Sequence, residues 1–280
     1  MYMQLEDEFG DVVGKARRGQ EMSTAQLARL SGLREQELDE IEAYRLTPDI
    51  ETVDRLADIL GLARDKLRAS VGKRFFPLFP AGRPVVGAVV EMLVLGRDFL
   101  MNGYVAGCAE TRQGTVIDPG FEAEKLLKTV ETLDLDIVSV LLTHGHGDHT
   151  GALSEVCQAT GAPAFISRAD AAMLGNLRTK IEGELEEGQI LTVGKLRFRV
   201  IATGGHTPGG MTISHDQFAF VGDALFAGSL GGTRSRVAYE GQRQAVREGI
   251  LALEDQVILY PGHGPATTVG EEKTNNPFFN

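Results

Sequence analysis

Between residues 143 and 149 the chain reads Thr143-His144-Gly145-His146-Gly147-Asp148-His149. Three imidazoles and a carboxylate so close together make a poor core, because histidine is only intermediate in burial and aspartate is almost never buried unpaired. As donors to a cation they make chemical sense: neutral imidazole nitrogens and carboxylate oxygens are metal ligands. The apolar run Ile137-Val138-Ser139-Val140-Leu141-Leu142 precedes them and reads as a buried strand, while Thr150-Gly151-Ala152-Leu153 opens a helical stretch. Ligands at the carboxyl end of a buried strand sit where open α/β sheets bind their ligands.

Three further groups share that setting. His206 lies in Gly204-Gly205-His206-Thr207-Pro208-Gly209-Gly210, after the strand-like stretch 196–202. Asp223 follows 218–221, and His263 follows Val257-Ile258-Leu259-Tyr260. Each is a ligand type at the end of a short apolar run, beside glycine or proline that lets the backbone turn sharply. Of the six histidines only His215 lacks this setting and reads as an ordinary strand or surface residue. The two cysteines, Cys108 and Cys157, have no metal-like spacing and fit a reducing compartment as small buried hydrophobes.

The ordered pattern HxHxDH, lone His, lone Asp, lone His resembles the metallo-β-lactamase-fold hydrolases, and most of all their small glyoxalase-II-like members. The match runs from about Val85 onward and includes Val116-Ile117-Asp118-Pro119-Gly120, Gly222-Asp223-Ala224-Leu225-Phe226 and the tail Asn276-Pro277-Phe278-Phe279. The resemblance implies that His144, His146 and His206 hold one metal and that Asp148, His149 and His263 hold a second, with Asp223 bridging. It also implies that Asp148 orients the nucleophile and that Asp118 supports a ligand histidine from behind. Ligands of this kind suit two divalent ions, zinc first, with iron or manganese as alternatives. The implied activity is hydrolysis of an acyl ester, foremost a thioester, by a hydroxide between the metals. Arg234, Tyr239 and Lys273 are candidates for a substrate carboxylate. Full-length glyoxalase II adds a helical extension that grips glutathione; here the sequence runs only to Asn280, so those contacts do not transfer. A second reading is a persulfide dioxygenase with one iron on His144, His206 and Asp223.

Composition bounds the rest. A chain of 280 residues, 42% hydrophobic, can bury full cores and is expected to hold two domains. A net charge of −11 argues against a general polyanion binder. The acidic start has no secretory apolar segment and no apolar run reaches membrane-spanning length, so a cytoplasmic protein without membrane contact is expected.

Residues 1–70 follow a different rhythm. Apolar residues recur at helical spacing (Val12, Val13, Ala16; Leu27, Ala28, Leu30; Leu38, Ile41; Val53, Leu56, Ala57, Leu60), broken at Gly32 and at Thr47-Pro48. Four or five short helices are predicted. The stretch from about Lys15 to Leu62 resembles the helix-turn-helix domain of XRE/Cro-type regulators, through Met22-Ser23, Leu27-Ala28, Gly32-Leu33, Ile41-Glu42, Pro48 and Leu60-Gly61. The resemblance implies a DNA-binding regulator whose metallohydrolase domain acts as sensor, with Arg34 and Gln36 as candidate DNA contacts. The reading helix is nevertheless acidic, Arg34-Glu35-Gln36-Glu37-Leu38-Asp39-Glu40, and residues 1–73 carry 11 Lys and Arg against 15 Asp and Glu. Carboxylates facing phosphates release no counterions, so a protein partner or self-association, as a homodimer, is the stronger expectation.

The predicted organisation is therefore α+β: an all-α helix-turn-helix domain (1–70), a linker (71–84) and a four-layer αββα sandwich (85–280). The linker motif Phe75-Phe76-Pro77-Leu78-Phe79-Pro80 is expected to pack the seam between the two. In the sandwich, strands are expected at 85–95, 99–106, 114–117, 163–166, 190–193, 195–202, 211–214 and 218–221, with helices at 121–133, 152–160, 169–174 and 238–253.

Overall fold

The computed structural model describes residues 4–280; the first three residues of the predicted 1–70 domain lie outside the described residues. Five short helices come first: α1 (Phe9–Gly19), α2 (Thr24–Ser31), α3 (Glu35–Glu42), α4 (Ile50–Leu60) and α5 (Arg64–Val71). Local chemistry sets their ends. The Ser23 hydroxyl accepts from Gln26 N at 3.1 Å while the Gln26 amide oxygen accepts from Ser23 N at 2.8 Å, closing a capping box on α2. Gly32 and Gly61 end α2 and α4 at φ of 73° and 64°, a conformation that favours glycine. The stripe Val53, Leu56, Ala57 and Leu60 is buried, as an amphipathic helix requires.

Two six-stranded sheets follow. The first orders β1 (Ala88–Leu95), β2 (Met101–Cys108), β3 (Gln113–Ile117), β4 (Asp136–Leu141), β5 (Ala164–Ile166) and β6 (Ile181–Glu184) in sequence. It is antiparallel through β3 and parallel thereafter. The second runs β12 (Thr267–Thr268), β11 (Ile258–Pro261), β10 (Phe218–Gly222), β9 (Met211–Ser214), β8 (Leu196–Ala202), β7 (Ile190–Val193), with β10 and β11 parallel. Helices α6 (Ala123–Thr132), α7 (Gly147–Thr150), α8 (Leu153–Thr160) and α9 (Arg168–Ala171) connect the strands of the first sheet, and α10 (Arg236–Ala245) and α11 (Val269–Asn275) belong to the second. The predicted helix 238–253 instead starts two residues earlier, where the Ser235 hydroxyl caps Ala238 N, and loosens into a π turn at Val246–Ile250. Strand β6 was not anticipated, because Ile181-Glu182-Gly183-Glu184 carries too little apolar signal.

Alternation explains the layers. Along β2, Tyr104 and Ala106 enter the core between the sheets, while Met101 and Val105 face α6 and α8. Along β10, Phe218 and Phe220 point between the sheets and Ala219 and Val221 point outward. Strands buried on both faces read as unbroken apolar runs. The outward face of β10 packs with Val246, Ile250, Phe278 and Phe279, and the interior of α1–α5 belongs to the same continuous core. Ala63 N donates to the Pro277 carbonyl at 2.8 Å, the Lys66 ammonium to the Lys273 and Phe279 carbonyls, and a side chain at Gly19 would collide with the Tyr239 ring. The seam motif behaves differently from expectation. Pro77 is buried and Phe75 half-buried, but Phe76, Leu78 and Phe79 are exposed.

Candidate metal centre

Every candidate ligand sits just beyond the carboxyl end of a strand, all at one edge of the sandwich. His144 and His146 follow β4, and Asp148 and His149 lie on α7. His206 follows β8, Asp223 follows β10, and His263 follows β11. The structure brings all seven side chains together. Donor atoms of His144, His146, His206 and Asp223 lie within 4.8 Å of one another, and so do those of Asp148, His149 and His263.

In the first group His146 Nδ1 stands 3.1 Å from His144 Nε2 and 3.0 Å from His206 Nε2, and His206 Nε2 is 3.3 Å from Asp223 Oδ2. In the second, Asp148 Oδ2 is 3.5 Å from His149 Nε2 and 3.4 Å from His263 Nε2, with the two nitrogens 3.4 Å apart. Asp223 reaches this group as well: Oδ1 lies 3.4 Å from His149 Nε2 and Oδ2 lies 3.5 Å from His263 Nε2. Metal–ligand bonds of about 2.0–2.1 Å in a tetrahedral site separate donors by about 3.3–3.4 Å. The spacings match that edge. Asp223 Oδ1 is buried without a hydrogen-bond partner, which a cation would supply. The residues fit a metal.

Outer contacts aim these donors. Asp118 follows β3 at a φ of +48°, and its carboxylate accepts from Thr143 N at 2.7 Å, from the Thr143 hydroxyl at 2.6 Å and from His149 Nδ1 at 3.0 Å. His206 Nδ1 donates to the Gly232 carbonyl and His263 Nδ1 to the Leu100 carbonyl, each at 2.7 Å. A proton held outward on Nδ1 leaves the Nε2 lone pair pointing inward.

The electrostatics are those of a site built for cations. Burial, then the neighbouring His149, hold His144 well below the usual imidazole range, and burial with His206 lowers His146. Burial also opposes a charge on His263, but Asp148 and Asp223 outweigh it and push that imidazole up to about 11. Burial likewise opposes ionisation of Asp148, yet its bond to His263 brings the carboxyl down to about 2. Asp223 stays well below the carboxylate range despite complete burial, because His149 and His144 surround it.

Some supporting residues carry no sequence signal. Asp170, fully buried on α9, accepts from Gly145 N at 3.0 Å and Gly209 N at 2.7 Å, clamping the loop of His144 and His146 to the loop of His206. Gln242, fully buried on α10, donates to the carbonyls of Asp223, Ala224 and Gly231. Glu272 on α11, also fully buried, accepts from Gly228 N, the Thr267 hydroxyl and the Asn276 amide. Nothing local distinguishes these three from solvated helix residues.

The substrate candidates scatter. Arg234 is exposed two residues beyond Gly232 and forms no ion pair among the described residues. Tyr239 is buried in the seam, its hydroxyl enclosed without a partner and its ring beneath the Arg243 guanidinium. Lys273 pairs with Asp255 at 2.7 Å on the surface. His215 stacks on Phe218 away from the cluster. In the helical region Arg34 is bonded to Glu37 at 2.9 Å and Gln36 to Glu40 at 3.3 Å.

Two facing sheets flanked by helices, with histidine and aspartate metal-binding groups at one edge, define a class of metallohydrolase. The chain belongs to the metallo-beta-lactamase superfamily, whose sequence profile matches residues 102–263. It is 36% identical over 189 residues to the hydroxyacylglutathione hydrolase GloC of Haemophilus influenzae, covering 61% of this chain and 89% of the relative. Among solved structures, ETHE1 from Myxococcus xanthus superposes with a TM-score of 0.60 at 28% identity, over 68% of this chain and 83% of that one. A di-iron-bound form of TTHA1623 gives 0.56 at 31% identity, over 67% and 99%. Among the described residues no helix is long and apolar enough to cross a membrane.

Proposed function

We propose that this chain hydrolyses acyl thioesters with two divalent cations. The observation that carries the reading is the pair of donor groups that share Asp223. His144, His146 and His206 would hold one cation and Asp148, His149 and His263 the other, with Asp223 between them. Two such cations, when bound, supply a water of lowered pKa and neutralise developing charge on the carbonyl oxygen and the leaving thiolate. The side chain of Asp148 is 19% exposed, so it can accept a hydrogen bond from the attacking water and hold it in line. Asp118, Gly232 and Leu100 keep the imidazoles aimed while this happens. Water adds to the carbonyl carbon, the C–S bond breaks, and carboxylate and thiol leave. Likeness to a hydroxyacylglutathione hydrolase supports the ester class. Zinc is our first candidate for the metal; the di-iron-bound relative supports iron as the alternative, and manganese also fits the donor set.

Metal content per chain, followed by a thioester panel, tests the reading. About two equivalents, with turnover abolished in His146→Ala and Asp223→Ala that remain folded, is the expected result. Wild-type activity in either variant refutes the assignment. A second reading, a mononuclear-iron persulfide dioxygenase, draws on the compact set His144, His206 and Asp223 and on the likeness to ETHE1. One iron per chain with oxygen uptake on a persulfide would establish it instead.

For residues 1–70 we propose a helix-turn-helix unit used for association with a protein or a second copy of the chain. The bonds of Arg34 and Gln36 to carboxylates of their own helix support this over base reading. A gel shift at low salt, where phosphate contacts are strongest, distinguishes it from an operator-binding regulator.

A further inference from the structure

Four large apolar side chains stand in solvent around the mouth of the metal centre. Phe99 is 56% exposed, Leu100 52%, Phe121 37% and Met173 42%. Single exposed hydrophobics need no explanation, but a cluster around a polar cleft marks a ligand surface. Two of the four touch the candidate ligand His263, and the other two adjoin the backbone that carries candidate ligands. The Phe99 ring centroid lies 5.2 Å from that of His263, and the Leu100 carbonyl holds His263 Nδ1. Phe121 follows Gly120, whose N–H donates to the His149 carbonyl at 3.0 Å. Across the mouth, Met173 packs against Gly145, between His144 and His146, where an added Cβ would stand 3.1 Å from Met173 Cβ.

A hydrogen bond from the backbone to a side chain ties part of this rim down. Gly96 N donates to Glu122 Oε2 at 2.8 Å, anchoring the β1–β2 loop to the start of α6, and Gly96 lies beside the Phe121 ring. The apolar side chains of the loop face water. Folding gains nothing from that exposure; a ligand would.

We propose that Phe99, Leu100, Phe121 and Met173 form an acyl-chain subsite, and that the substrate is a thioester of an apolar carboxylic acid. This rests on the thioester-hydrolase reading above. The occupant is the acyl chain, because Phe99 and Leu100 adjoin His263 of one donor group and Met173 adjoins the loop of His144 and His146 of the other, the groups between which the carbonyl would be placed.

The test is a series of thioesters of one thiol, from acetyl to decanoyl, with the metal-loaded full chain. Each methylene moved from water onto apolar side chains strengthens binding about three- to fourfold, so kcat/KM rises by that factor per methylene over the first few carbons. Phe99→Ala and Met173→Ala each lower the octanoyl-to-acetyl ratio about tenfold, and Phe99→Leu restores most of it. Turnover without chain-length dependence overturns the subsite while leaving the hydrolase reading intact. If no thioester is turned over, the hydrolase reading falls and calorimetry decides the rim. Octanoate binding to wild type but not to the Phe99→Ala/Met173→Ala double variant supports the subsite, and equal or absent binding overturns it. Loss of self-association in the double variant without any effect on chain-length preference also overturns it and assigns the patch to a second copy.

Discussion

Replacing Asp118 by Asn changes one atom and should disable one metal position more than the other. The carboxylate accepts three hydrogen bonds, from Thr143 N, the Thr143 hydroxyl and His149 Nδ1. Asparagine keeps one oxygen, which satisfies Thr143 N. Its NH2 then faces the Thr143 hydroxyl, which can rotate to accept, and His149 Nδ1, which cannot accept while it carries a proton. His149 must move its proton to Nε2, the atom aimed at Asp148 and Asp223, or leave two donors opposed in a fully buried site. Loss of such outer partners costs ten- to a hundredfold in metal affinity, or about 1.4 to 2.7 kcal/mol. Titration against a chelating competitor, fitted to two sites, should show the Asp148, His149 and His263 position weakened by that factor. The His144, His146 and His206 position should change less, and the metal-free protein should remain folded. Affinities within twofold of wild type at both positions, or a loss confined to the first, would refute the tautomer argument.

Two further outcomes follow from single residues. Burial pushes Glu272 up to about 7, against about 4.3 for an unperturbed glutamate. A raised carboxyl contributes fully below the unfolded value and loses that contribution as pH rises through the folded one. Unfolding free energy should thus fall by about 3 kcal/mol between roughly pH 4 and 7 through this group; denaturant titrations of Glu272→Gln should lack that slope, and identical slopes would exclude the group as its source. At Gly262 an added Cβ would stand 2.6 Å from His149 Cε1 and collide with Asp223 Oδ1. Gly262→Ala should therefore lose bound metal at the second position while keeping its native circular dichroism, and full metal loading would show that the ligands move aside easily.

The clustering of the seven candidate side chains was legible because their residue types have no comfortable structural alternative. Clustered His and Asp behind apolar runs fit strand ends, and the near-continuous apolar character of 137–142, broken only by Ser139, and of 218–221 marks strands buried on both faces. The helices of residues 9–71 were legible from the same kind of local periodicity, with Gly32 and Gly61 marking the stops. Strand β6 escaped because its pairing with β5, not its own side chains, makes it a strand.

Sequence by itself thus determined which atoms are available as ligands and in what order the strands deliver them, since both depend on residue type and short-range pattern. Tertiary structure alone decided what surrounds them. Asp170 and Gln242 became clamps, Tyr239 went to the seam instead of the substrate, and α1–α5 joined one core with β10 and β11. These roles rest on contacts between residues far apart in the chain, where a buried polar group must find its partner across the fold, and no local pattern records that partner.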